Sequence, residues 1–119
     1  MRDIGDDFEQ KAADWLEHKG WTLLARNFRT PMGELDIVAL DGPSLVFVEV
    51  KARSGSRFAG AAAAVDRSKQ RKLLRAAQAF LKHRPALKNH RCRFDVIAFE
   101  PRQSQPGHRL NWIRAAFSE

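Results

Sequence analysis

The feature that most constrains the fold of this 119-residue chain is a pair of apolar runs joined by a short turn segment. The runs cover residues 34–40 and 45–51, and Asp41-Gly42-Pro43-Ser44 between them is rich in turn formers. This combination predicts a β-hairpin. Because both runs are apolar on both faces for part of their length, we expect the two strands in the middle of a covered sheet.

The apolar spacing elsewhere predicts the remaining elements. Helices are expected over residues 6–19 and from Asp66 or Ser68 to about His83. Strands are expected over residues 21–28 and 93–99, a loop over residues 53–57, and a last strand or short helix over residues 110–117. The order helix, three strands, helix, strand is typical of an α/β domain with a central mixed sheet flanked by helices. No linker divides the chain, so residues 1–119 are predicted to form a single domain.

Charge is divided unevenly along the sequence. Residues 1–50 carry 5 basic and 10 acidic side chains, whereas residues 51–119 carry 16 basic and 4 acidic ones, and the whole chain has a net charge of +7. A cationic half of this kind favours a polyanionic partner, because phosphates attract Lys and Arg and release counterions on contact. The predicted second helix places Arg67, Arg71 and Arg75 one turn apart, which indicates either a nucleic-acid contact or a solvated helix face.

The predicted hairpin also carries the residues with the clearest chemistry. Side chains alternate along a strand, so Glu34 and Asp36 should share one face, and Glu49 and Lys51 should share one face of the next strand. Pairing across the turn of residues 41–44 sets Asp36 opposite Glu49 and Glu34 opposite Lys51.

Two carboxylates facing each other on central strands repel, and burial increases that cost. A shared proton, a cationic partner such as Lys51, or a bound metal ion would resolve the repulsion. Oxygen ligands at this spacing suit Mg²⁺, which keeps several waters and often bridges to phosphate. A lysine beside the metal could orient or deprotonate an attacking water. An ordinary salt bridge on a solvated strand face is the alternative.

Gly33-Glu34-Leu35-Asp36 followed by Val48-Glu49-Val50-Lys51 resembles the D…ExK signature of restriction-endonuclease-like PD-(D/E)XK nucleases. Further segments extend the likeness over nearly the whole chain: Gly5, Glu9-Gln10-Lys11-Ala12, Arg26-Asn27, residues 33–39 and 46–53, Lys69, and Arg93-Phe94-Asp95-Val96. Together they resemble the YraN family of small bacterial proteins, which is similar in fold to archaeal Holliday-junction resolvases.

The resemblance implies a restriction-endonuclease-like core, Mg²⁺ or Mn²⁺ as cofactor, DNA as partner and, by analogy with the resolvases, a homodimer. It also implies the roles of individual residues. Asp36, Glu49 and the main-chain carbonyl of Val50 would be metal ligands, Lys51 the catalytic lysine, and Glu34 and Glu9 accessory acids. Lys69 would bind a phosphate group, and Arg53, two residues after Lys51, would contact the DNA backbone.

Three functions are therefore open at this point. The first is a metal-dependent nuclease acting on DNA, including branched DNA such as Holliday junctions. The second is a non-catalytic nucleic-acid-binding module that keeps the nuclease fold, and the third is an adaptor whose basic surface meets an acidic protein. The acidic start of the chain and the absence of a long apolar stretch predict a cytoplasmic protein that does not contact membranes.

Two smaller expectations concern residues outside the hairpin. Asp95 should be structural and bound to the backbone or to Arg93, and the lone cysteine, Cys92, should be a small buried side chain.

Overall fold

A computed structural model describes residues 4–52 and 66–117 of the chain, with side chains from residue 7 onwards. In chain order its elements are α1 (Ile4–His18), β1 (Thr22–Thr30), β2 (Gly33–Asp41), β3 (Ser44–Ala52), α2 (Arg67–His83), a single 3₁₀ turn (Pro85–Leu87), β4 (Arg91–Pro101) and β5 (His108–Phe117). The helices and the first four strands agree with the predicted ones to within a few residues at their ends. The loop predicted over residues 53–57, including Arg53, lies outside the described residues.

The five strands form one mixed sheet in the order β1-β2-β3-β4-β5. Every neighbouring pair is antiparallel except β3 and β4, which run parallel and are joined through α2. Residues 110–117, predicted as either a strand or a short helix, belong to the edge strand β5. The architecture is α/β, a mixed sheet flanked by helices, and it is compatible with a restriction-endonuclease-like fold.

The helices cover opposite faces of the sheet and create two apolar layers. The layer under α1 contains Phe8, Ala12, Leu16, Ile37, Val46, Val48 and Ile97. The layer under α2 contains Leu35, Val38, Phe47, Leu73, Ala76, Phe80 and Phe94. Residues of β2 and β3 therefore alternate between two cores rather than between core and solvent, which confirms the prediction that both strands are covered on both faces.

The β2–β3 register confirms the pairing predicted from the turn, as far as the ladder extends. Leu40 pairs with Leu45 and Ile37 with Val48, and the pairing is continuous between them. Gly42 has φ +58°, a left-handed conformation that costs glycine nothing and that most other residues avoid. The four-residue connection thus fixes the register of the strands that carry the acidic pair.

The regular alternation of β2 breaks at Asp36. Leu35 and Val38 both pack under α2, although residues three apart in an ideal strand point to opposite faces. Asn27 of β1, which lies across from Asp36 between the pairs Arg26↔Ile37 and Phe28↔Leu35, has φ +52°. Asparagine tolerates this region better than most residues, so both strands depart from regular geometry at the same level of the sheet.

At the opposite edge of the sheet, Asp95 is fully buried and holds β4 and β5 together. Its carboxylate accepts hydrogen bonds from Arg93 (3.1 Å), the Trp112 indole (2.9 Å) and the Ala115 main-chain N–H (2.9 Å). The predicted structural role of Asp95 is confirmed.

The prediction for Cys92 is wrong, because its side chain is exposed. Cys92 is the second residue of β4, where the strand emerges from the 3₁₀ turn and has not yet entered the core.

Candidate metal centre and nucleic-acid interface

The candidate centre begins where the β2–β3 ladder ends. Beyond the Ile37↔Val48 pair, the main-chain N–H of Val50 donates to the Asp36 side chain over 2.9 Å. The Asp36 carboxyl group is also hydrogen-bonded to the Glu49 carboxyl group. The structure therefore brings together the two carboxylates that the sequence predicts as partners, and it fixes one of them to the neighbouring strand.

Burial of Asp36 and the negative charge of Glu49, to which it is hydrogen-bonded, raise the pKa of Asp36 from 3.8 to about 8. The Val50 N–H partly opposes this rise in pKa, and the charge of Glu9 adds to it. When two carboxylates lie close together and are poorly solvated, repulsion and lost hydration make it unfavourable to ionise both. The pair therefore retains a proton near neutral pH. A shared proton is one of the resolutions expected for such a pair.

Two lysines approach the same oxygen of the other carboxylate. Glu49 is only 5% exposed, and its Oε2 lies 2.9 Å from Lys69 Nζ and 3.4 Å from Lys51 Nζ. Burial acts to lower the pKa of Lys69, but the hydrogen bond to Glu49 and the charge of Glu49 outweigh it, so this pKa is raised. The buried carboxylate is thus matched by cations, as burial of charge requires.

Lys69 reaches the site because α2 begins beside β3. The Asp66 side chain caps the helix by accepting the Lys69 main-chain N–H over 2.8 Å. Of Asp66 and Ser68, the two residues from which the sequence predicts the helix to start, the structure uses Asp66 as the N-cap. The sequence does not predict the pairing of Lys69 with Glu49. The resemblance implies a phosphate ligand at Lys69, and no local pattern relates two residues on different elements.

The accessory acids have different surroundings. The predicted pairing of Glu34 with Lys51 is wrong: Glu34 lies beside Arg29 of β1, with Arg29 Nε 3.2 Å from Glu34 Oε1. Glu9 of α1, by contrast, lies near the centre, because its charge helps to raise the pKa of Asp36 and its Oε1 is 4.0 Å from Arg26. The break in β2 at Asp36 separates Glu34 from the pair that it was expected to join.

The donor chemistry of the centre is all oxygen. Within residues 4–52 and 66–117, no three His, Cys, Asp or Glu side chains form a group that could hold a metal ion. A cation here would rely on the carboxylates of Asp36 and Glu49 and on a main-chain carbonyl such as that of Val50, with water completing its shell. Such a set fits Mg²⁺ or Mn²⁺, and the proton retained by the pair marks a place where added positive charge is favourable.

A basic stripe runs along the exposed side of α2. We use this name for Arg67, Arg71 and Arg75, which are all exposed. The helix has no acidic residue in its first turn, and its 17 residues extend over roughly 25 Å. Lys69, which contacts Glu49, lies about 200° around the helix from Arg67 and from Arg71, so the stripe occupies the solvent side of α2, on the helix face opposite Lys69.

Gly33 allows β2 to approach α2 closely. A Cβ atom at Gly33 would lie 3.0 Å from the main-chain oxygen of Lys72, which is tighter than most Cβ contacts in proteins. The glycine of the Gly33-Glu34-Leu35-Asp36 segment therefore sets the distance between the acidic strand and the helix that carries Lys69.

Among the described residues, no helix is long and apolar enough to cross a bilayer.

Fold and site together define a small α/β domain in which a buried acidic pair, contacted by two lysines, lies beside a basic helix. The chain belongs to the YraN family: residues 8–99 match the family model described as "Uncharacterised protein family UPF0102".

Bacterial proteins named "UPF0102 protein" are similar to this chain over almost its whole length. The one from Pseudomonas syringae pv. syringae (strain B728a) is 48% identical over 115 residues, covering 95% of this chain and 91% of the relative. The one from Alcanivorax borkumensis is 43% identical over 116 residues, covering 98% and 92%. The one from Halorhodospira halophila is 44% identical over 118 residues, covering 99% and 89%.

Proposed function

We propose that this protein is a metal-dependent nuclease of the PD-(D/E)XK type that hydrolyses phosphodiester bonds in DNA. The observation that carries the proposal is the close approach of the Asp36 and Glu49 carboxyl groups, with Lys51 Nζ 3.4 Å from Glu49 Oε2, at the end of a central strand pair. A merely structural sheet position would not retain two buried acids in contact, because apolar residues there cost less. Perturbed groups of this kind cluster at functional sites.

Each residue of the centre has a part in the proposed reaction. Asp36 and Glu49, with the Val50 carbonyl, would hold Mg²⁺ or Mn²⁺, which supplies Lewis-acid stabilisation of the charge that develops on the phosphate. Lys51 lies 3.4 Å from Glu49 and is 25% exposed, so its ammonium group can hold and orient a water molecule or balance phosphate charge. Glu9 supports the negative potential from the α1 side.

The basic stripe would bind the DNA backbone along the solvent side of α2. Arg67, Arg71 and Arg75 are exposed, and guanidinium groups bind phosphate oxygens in a bidentate manner. Arg53, which lies outside the described residues, stays a sequence-based candidate for a contact to the DNA backbone. The net charge of +12 on residues 51–119 gives these contacts a favourable long-range field.

The substrate in this proposal is DNA, including branched forms such as four-way junctions. The active species is a homodimer. The support for this proposal is the resemblance of the sequence to the YraN family, which is similar in fold to archaeal Holliday-junction resolvases. Cutting a junction symmetrically needs two centres, which two copies of the chain would provide. Light scattering of the purified protein, with and without a junction, tests the dimer directly.

Purified wild type, Asp36→Ala and the exposed-site control Glu17→Gln should be compared on labelled single-strand, duplex, flap and four-way-junction DNA. Each reaction would contain Mg²⁺, Mn²⁺ or EDTA. We expect metal-dependent cutting by wild type and by Glu17→Gln, and none by Asp36→Ala, although all three bind DNA. Equal cutting by wild type and Asp36→Ala would show a contaminating nuclease and leave the assignment without support.

A second candidate is a nucleic-acid-binding module that keeps the nuclease fold without activity. The observation that favours it is that Glu49 is already contacted by two ammonium groups, so its charge is balanced without a metal. This candidate predicts salt-dependent DNA binding that Asp36→Ala leaves unchanged, no cutting in any metal, and no heat of Mn²⁺ binding in calorimetry.

A further inference from the structure

The shortest ion pair of the centre joins Lys69 of α2 to Glu49 of β3. Their Nζ–Oε2 distance is 2.9 Å, against 3.4 Å for Lys51 and the same oxygen. Glu49 therefore has three close partners: the two ammonium groups and the Asp36 carboxyl group. A divalent cation at Oε2 of Glu49 would be repelled by the two ammonium groups that already lie on that oxygen, so it binds there well only when one of them withdraws.

Lys69 is the partner best able to leave. Its side chain is 44% exposed, compared with 25% for Lys51, so its ammonium group can regain water when it releases Glu49. A lysine side chain has a flexible stem of four carbons, and only the side chain has to move, because the helix start is held through main-chain N–H groups.

We propose that the Lys69 ammonium group is a built-in occupant of the divalent-cation site, which a metal ion must displace from Glu49 in order to bind. Lys69 therefore lowers the affinity of the site for metal. Once displaced, its charge is free to bind a phosphate group next to the acidic pair. This inference rests on the proposed metal site and adds the means by which that site is regulated.

The displacement couples two ligands. A phosphate that holds Lys69 away from Glu49 makes metal binding easier, and metal binding makes Lys69 available to phosphate by the same factor. The site would then fill with metal preferentially when a phosphate backbone is present. Lys69 is thus a positioning residue: its loss raises the metal affinity, whereas the loss of a metal ligand lowers it.

Mn²⁺ binding to the full chain without nucleic acid, measured by calorimetry and by electron paramagnetic resonance of free Mn²⁺, tests the proposal. Lys69→Gln should bind Mn²⁺ more tightly than wild type, by on the order of tenfold, because a charge-assisted hydrogen bond no longer competes. Lys72→Gln removes the same charge one turn further along α2 and should change the affinity by no more than about twofold. Lys69→Arg, which keeps a cation, should stay close to wild type.

The outcomes separate the inference from the function on which it rests. Equal Mn²⁺ affinities for Lys69→Gln, Lys72→Gln and wild type would overturn the displacement while leaving the metal site intact. Weaker binding by Lys69→Gln would also overturn it. No Mn²⁺ binding by any folded variant, including wild type, would remove the proposed metal site itself. Circular dichroism melting of each variant establishes that it is folded.

Discussion

The main-chain N–H of Val50 donates a 2.9 Å hydrogen bond to the side chain of Asp36, on the strand next to its own. The ladder between these strands has already ended at Ile37↔Val48, so a carboxylate takes the place of a strand partner. The contact fixes Asp36 against Glu49 by a bond that does not depend on a bound ligand. Preorganisation of this kind is what an electrostatic site requires, and it stores an unfavourable interaction in the fold.

The raised pKa of Asp36 predicts that the stability of the folded chain depends on pH. The pKa of Asp36 is about 8 in the folded chain and 3.8 as an ordinary value, so between these pH values the folded state binds more protons than the unfolded state. The contribution of Asp36 is fully favourable below about pH 4 and is lost as pH rises through 8, by up to about 1.4 kcal/mol per pH unit. Asp36→Asn should therefore be more stable than wild type at pH 8.

Urea unfolding in EDTA at pH 5, 6.5 and 8 measures this effect as the difference in free energy of unfolding between the two proteins. Titrating groups that do not contact Asp36 cancel in that difference, which we expect to grow with pH. A difference that stays constant across the three pH values would contradict the raised pKa. Glu17→Gln, on the exposed surface of α1, should track wild type at each pH.

Gly33→Ala should destabilise the protein by about 1–3 kcal/mol. The added Cβ would lie 3.0 Å from the main-chain oxygen of Lys72, so either β2 or α2 has to move. Met32→Ala, at the exposed neighbouring position, should change stability by less than about 0.5 kcal/mol. Urea unfolding compares the two substitutions, and equal effects would show that the close approach of β2 to α2 carries no energetic weight.

Asp95→Ala should cost about 3–5 kcal/mol, because it leaves Arg93, the Trp112 indole and the Ala115 N–H without their buried acceptor. Asp41→Ala removes a more exposed partner of Arg93 and should cost clearly less. Urea unfolding followed by tryptophan fluorescence reports both stability and the environment of Trp112. Similar costs for the two substitutions would mean that Asp95 does not anchor β5.

The basic stripe predicts a measurable change in the salt dependence of DNA binding. Arg71→Gln and Arg75→Gln should each weaken binding to duplex DNA and lower the slope of log affinity against log salt by about 1. Lys19→Gln, on the exposed surface at the end of α1 and therefore on the opposite side of the sheet, should leave the slope unchanged. Fluorescence anisotropy at several salt concentrations gives the slopes. An unchanged slope for both arginine variants would make α2 a solvated face only.

Much of the fold follows from patterns that act over short distances. The turn residues 41–44 determine the β2–β3 register, since a hairpin with a short loop has few ways to pair. Asp66 and the apolar spacing of Leu73, Ala76 and Phe80 determine where α2 begins and which side it buries. The sequence does not distinguish strand from helix over β5, because the outer position of this strand gives a weak burial pattern.

Within the candidate site, the sequence identified the Asp36 and Glu49 pair, because the hairpin register brings them to the same level. It placed Glu34 wrongly, since period-2 alternation assumes a regular strand and β2 departs from regularity at Asp36. The unusual φ of Asn27 on the neighbouring strand accompanies that departure. No local rule foresees it.

By itself, then, the sequence determined the elements, the hairpin register and the acidic pair. Only the tertiary structure decided that Lys69 contacts Glu49, that Arg29 binds Glu34 and that Asp95 holds β5. The first set depends on neighbours along the chain, where backbone geometry permits few alternatives. The second depends on how helices and strands pack against one another, and the position of a side chain relative to a distant element is fixed only when the core between them is filled.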